Sequence, residues 1–71
     1  MYIVIERVVT NAGTAQQMTE KNTWDEAVMT LHQVMASAMA NKNVSSALCM
    51  VIDGMGNVTK KEYWERDNEP E

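Results

Sequence analysis

From Trp24 to about Asn41 the chain runs without glycine or proline and is rich in alanine, the pattern of a single long helix. Thr23-Trp24-Asp25-Glu26 marks its start as a capping box: the Thr23 hydroxyl accepts from the Glu26 N–H, and the Glu26 carboxylate returns to the N–H of Thr23. Asp25 and Glu26 also place negative charge at the positive end of the helix dipole, and Asn41-Lys42-Asn43 ends the helix. One helix means one layer of cover. Any sheet built from the rest has one face shielded and another to be accounted for.

The flanks read as strands. Residues 2–9 are β-branched and aromatic, with too few good helix formers to compete. Asn11-Ala12-Gly13 supplies two residues tolerant of positive φ, which favours a hairpin, and the short polar Thr14–Glu20 follows as an edge strand. Beyond the helix, Ser46–Ile52 is an apolar run, Asp53-Gly54-Met55-Gly56-Asn57 a tight turn, and Val58–Trp64 a last strand.

The expected fold is therefore α+β, in the order β-β-α-β-β. If the first strand runs up, the second runs down, the helix returns up and the third runs down, so the third pairs antiparallel with the first. The result is a four-stranded antiparallel sheet of order 2-1-3-4 with one helix packed on one face. The two most apolar strands are then central and the polar ones lie at the edges. Residues 1–64 make a single domain; 65–71, charged and carrying Pro70, make a flexible tail.

Such a chain owns more apolar surface than one helix can hide. At about 100° per residue, Trp24, Ala27, Val28, Leu31, Val34, Met35 and Ala38 share a sector of roughly 120° that covers the sheet. Met29, His32, Ala36, Met39 and Ala40 extend the apolar arc around the helix and leave a narrow polar strip. In the strands, Ile3, Ile5 and Val9 alternate with Tyr2, Val4 and Val8, and Leu48, Met50 and Ile52 alternate with Ala47, Cys49 and Val51. Both faces are largely apolar, so the uncovered one is expected to meet another chain or a ligand: a homo-oligomer, most simply a two-fold dimer, with an unknown protein partner as the alternative. The candidate interface residues are Met29, His32, Ala36, Met39 and Ala40 on the helix and Tyr2, Val4, Val8, Ala47, Cys49 and Val51 in the strands.

Size points the same way. For a 71-residue chain, apolar transfer at ~25 cal/mol/Å² and conformational entropy at ~1.5 kcal/mol per residue cancel at about 105 kcal/mol each. Extra stabilisation is needed, and composition removes two sources of it. A single cysteine, Cys49, excludes an intramolecular disulfide, and one Cys with one His cannot supply four N/S ligands to zinc. A regular core or a partner copy remains, and seven methionines with no Phe make a soft, adaptable set of core formers.

Little of the chain suggests chemistry, and a non-enzymatic module without cofactor or metal is expected. His32 titrates near neutral pH but has no carboxylate at i±3 or i±4 to orient it, so it reads as a packed or interfacial histidine. The alternative is a ligand-binding or catalytic site at a subunit seam around it. Cys49, between Leu48 and Met50, has the surroundings of an inert buried thiol. Asp53–Asn57 lacks the spaced oxygens and terminal Glu of a calcium loop. Lys60, Lys61, Tyr63, Trp64 and Arg66 mix cations with aromatics, as a single-stranded nucleic-acid binder would, but Glu62, Glu65, Asp67 and Glu69 cancel the field. A net charge of -4 argues against phosphate-backbone binding. Met1–Ile5 lacks a basic leader region and breaks to Glu6-Arg7, so neither signal peptide nor membrane span is expected, and the location is cytoplasmic.

Tyr2-Ile3-Val4-Ile5-Glu6, Leu31-His32-Gln33-Val34-Met35-Ala36, Ala47-Leu48-Cys49-Met50-Val51 and Gly56-Asn57-Val58 leading to Glu62-Tyr63 occur in this order along nearly the whole chain. The set resembles a group of small uncharacterised proteins of anaerobic gut bacteria and their phages or mobile elements, whose members often carry Tyr where this chain has Leu31. The resemblance implies a bacterial or phage origin and carries no activity with it.

Overall fold

In the computed structural model, which describes residues 1–66, β1 (Tyr2–Thr10) and β2 (Gly13–Lys21) form a hairpin, α1 (Trp24–Ala40) crosses over, and β3 (Val44–Ile52) and β4 (Val58–Glu65) form a second hairpin. The sheet order is β2-β1-β3-β4 and every neighbouring pair is antiparallel, as expected. The register between β1 and β2 is unbroken from Tyr2↔Lys21 to Thr10↔Gly13. The other two ladders slip once each, between Val9 and Thr10 and between Val51 and Ile52.

Local chemistry explains both turns. Thr10 closes the first: its hydroxyl accepts from the Ala12 N–H at 3.1 Å and donates to the Gly13 carbonyl at 3.2 Å. Gly13 alone takes the positive φ, at 133°, so the tolerance of Asn11 goes unused. In the second turn the Asp53 carboxylate accepts from the Met55 and Asn57 N–H groups, both at 2.9 Å, and Gly56 sits at φ 90°. Those amide donors hold the Asp53 pKa below the usual carboxylate range. The carboxylate is spent on its own loop.

The Thr23 arm of the capping box forms, with the Glu26 N–H donating to the Thr23 hydroxyl at 3.2 Å. Trp24 anchors the same end of α1, its Nε1 donating at 3.1 Å to the Thr59 hydroxyl, which donates on to the Val51 carbonyl. The helix packs mainly over β3 and β1. Ala27, Leu31, Met35 and Ala38 face Val4, Val44, Ala47, Cys49 and Val51 in one buried core, with Tyr2, Val8, Val34 and Trp64 packed against it.

The domain reaches further than the expected boundary at 64. β4 includes Glu65, and the Arg66 N–H donates to the Ser45 carbonyl at 2.8 Å, because the β3–β4 ladder still has a partner strand there. The rest of the expected tail, 67–71, lies outside the described residues.

Candidate interaction surface

Because α1 lies on one side of the sheet, alternation puts the remaining large strand residues on the other. Cross-strand rows on this uncovered face read Glu20–Ile3–Ile52, Met18–Ile5–Met50–Lys61 and Gln16–Arg7–Leu48–Tyr63. Ile3, Ile5, Leu48, Met50 and Ile52 are only half-buried, shielded by sheet neighbours alone. Met18 at 67%, Tyr63 at 60% and Val58 at 52% exposure extend the patch to both edges. A contiguous apolar centre rimmed by Glu20, Arg7 and Lys61 is the anatomy of a contact surface rather than of a solvated sheet.

The structure corrects which strand residues this surface contains. Val4, Ala47, Cys49 and Val51, expected as interface candidates, are buried beneath α1, and Tyr2 and Val8 pack against the same core. A change of parity by one residue moves a strand's whole apolar set to the other face. The helix sits on the side of Ala47 and Cys49, whose small side chains allow close approach, and leaves the bulkier Leu48, Met50 and Ile52 outside. The two faces are equally apolar along the strands, and the difference in β3 residue size takes effect only when α1 meets the sheet. The helix candidates Met29, His32, Ala36, Met39 and Ala40 are all exposed, on the side of α1 away from the core.

The residues considered for chemistry are dispersed. His32 stands on that outer ridge, remote in the layered fold from the uncovered sheet face. Tyr63 and Trp64 leave β4 on opposite faces: Tyr63 is exposed, whereas Trp64 packs on the core. The Arg66 guanidinium lies 4.8 Å from the Trp64 ring centre and donates to main-chain carbonyls, and Lys60 lies 3.9 Å from the Glu62 carboxylate. The stacking surface expected of a nucleic-acid binder is therefore not assembled on one face of β4. Among the described residues, no three His, Cys, Asp or Glu side chains form a group able to hold a metal ion, and no helix is long and apolar enough to cross a membrane.

Cys49 is fully buried and flanked across the ladders by Glu6 and Glu62. Burial, helped by the two carboxylates, pushes its thiol up to about 11. The folded chain thus holds this proton more tightly than the unfolded one. The resulting stabilisation is complete below pH ~9 and is lost as pH rises through about 11. Urea titrations at pH 8 and pH 11.5 are expected to show a loss of about 2 kcal/mol that Cys49→Ala lacks. An equal loss in both proteins would remove the thiol as its source.

No family model, curated protein or solved structure matches this chain. What the molecule does must be argued from its surface.

Proposed function

We propose that this protein is a small non-enzymatic interaction module that works as a homodimer, uncovered sheet against uncovered sheet, with the helices outermost. The observation that carries the reading is the unshielded row Met18–Ile5–Met50 and its apolar neighbours Ile3, Leu48 and Ile52. A two-fold axis running along the strands between β1 and β3 sets Ile3 over Ile52 and Ile5 over Met50. The same axis lays Arg7 on Leu48, Lys61 on Met18 and Glu20 on Val58, so no charge lies directly opposite a like one, and the two Arg7 side chains flank the axis as diagonal neighbours. Sheets packed face to face at about 10 Å interdigitate such side chains into a second core. That core supplies the stabilisation a chain of this size lacks alone. A cytoplasmic accessory role agrees with the single, buried cysteine. In this arrangement His32 stays on the outside, away from the seam.

Light scattering coupled to size exclusion tests the reading. The wild-type mass is expected to be at least twice the 8.0 kDa of one chain. Met50→Lys, which places a charge in the centre of the sheet face, is expected to halve that mass at least, while Met39→Lys on the outer helix ridge leaves it unchanged. A monodisperse wild-type particle of 8.0 kDa, or dissociation by Met39→Lys and not by Met50→Lys, overturns the proposal.

A further inference from the structure

The two edges of the sheet are protected very differently. β4 carries Lys60, Lys61, Glu62 and Glu65 along its length, and its ladder to β3 is broken by an irregularity at Val51/Ile52. Both devices discourage a further strand. β2 has neither. It is nine residues long, its register with β1 is continuous, it holds no proline, and Gly13-Thr14-Ala15-Gln16-Gln17-Met18-Thr19 is uncharged. All of that uncharged stretch except Thr19 is exposed. A long, flat, neutral edge presents a row of unpaired N–H and C=O groups ready to template another strand.

We propose that the β2 edge takes β2 of a second copy, antiparallel and centred on Gln17, so that two sheets join into one of eight strands. In this register Gln17 faces Gln17 of the other copy, Gln16 faces Met18, Ala15 faces Thr19, Thr14 faces Glu20 and Gly13 faces Lys21. The charged end of each strand meets the neutral end of the other. Parallel pairing would instead stack Glu20 on Glu20 and Lys21 on Lys21, so charge selects the antiparallel form.

A feature beside the edge supports a second copy as the occupant. Between the end of β2 and α1 lies an open depression of about 410 Å³ lined by Glu20, Lys21, Glu26 and Met29. It is too polar to serve as the alternate side-chain pockets that peptide recognition by strand addition uses. The edge contact is independent of the sheet-face contact. Its two-fold axis is perpendicular to the sheet at the outer edge of β2, whereas the other runs along the strands between β1 and β3; the axes do not intersect, so the two contacts used together extend copies into an open ribbon.

Cysteine cross-linking reads the register directly. Opposed residues of an antiparallel pair have Cα atoms about 4.5–5.5 Å apart, within disulfide reach, and native Cys49 is buried and does not compete. With oxidised glutathione as the oxidant, Gln17→Cys is expected to convert mostly to a covalent dimer. Ala15→Cys and Thr19→Cys are expected to remain monomeric on a denaturing gel separately and to cross-link when mixed. Absence of the Gln17→Cys dimer, or equal cross-linking by Ala15→Cys alone, overturns the edge pairing. Neither result bears on the mass change of Met50→Lys, which tests the sheet face separately.

Discussion

Leu31→Ala is expected to lower the stability of the folded chain by about 3–4 kcal/mol, measured as the shift in urea midpoint at constant slope and constant protein concentration. Leu31 is fully buried at the centre of the helix-sheet contact, among Val4, Ala27, Met35, Ala47, Cys49 and Val51. Its removal combines the lost transfer of its methyl groups with a cavity. Collapse around that cavity is restricted because Trp24 and Arg66 tie the two ends of α1 to the sheet. A chain of this length has a total stability of about 4–10 kcal/mol, so the loss is a large fraction of the whole. His32→Ala, one residue along on the exposed ridge, is expected to change stability by less than about 0.5 kcal/mol. A Leu31→Ala effect no larger than that of His32→Ala would mean that the helix is not docked through this residue.

Arg66→Ala is the second large effect, at about 2–3 kcal/mol, and its cause lies in the backbone rather than the core. α1 has no basic residue in its last turn, so its C-terminal carbonyls lack a cation from their own segment. Arg66, arriving from the end of β4, supplies one. Its Nε donates to the Val44 carbonyl at 2.9 Å, and its Nη2 donates to Asn41 at 2.9 Å and to Met39 at 3.3 Å, while the plane stacks on Trp64. This one side chain joins the end of α1, the start of β3 and the end of β4. Arg66→Lys is expected to recover less than half of the loss, since a single ammonium lacks the fork that spans these carbonyls and the flat face that stacks. Hydrogen exchange provides a local check: the Val44 N–H, bonded to the Asn41 carbonyl, should lose protection in Arg66→Ala before the centre of the sheet does. Full rescue by Arg66→Lys would reduce the role of this residue to charge alone.

These two residues show how unevenly the fold is written along the chain. Leu31 belongs to an apolar stripe visible as soon as the helix period is applied, and all of the residues buried on α1 lie in the expected sector. The capping threonine and the Asp53 turn were equally legible, because each bond joins residues a few positions apart. In the sequence Arg66 belongs to a charged tail, since its partners at Met39, Asn41 and Val44 become neighbours only after the helix has crossed the sheet. Glu65 belongs to that tail on the same ground.

The composition of the surface was legible and its address was not. Alternation in β1 and β3 showed that both faces were apolar and that one helix could shield only one. It could not say which, because a period of two is symmetric between the faces. The sequence by itself determined the strand and helix order, the antiparallel 2-1-3-4 sheet, the caps and the surplus of apolar surface, all of which follow from local periodicity and short connections. Only the tertiary structure decided that α1 settles over Ala47 and Cys49, that Ile5, Leu48 and Met50 are left outside, and that Arg66 closes the helix. Those choices depend on side-chain volumes and carbonyls meeting across distant segments, and no window of neighbouring residues contains them.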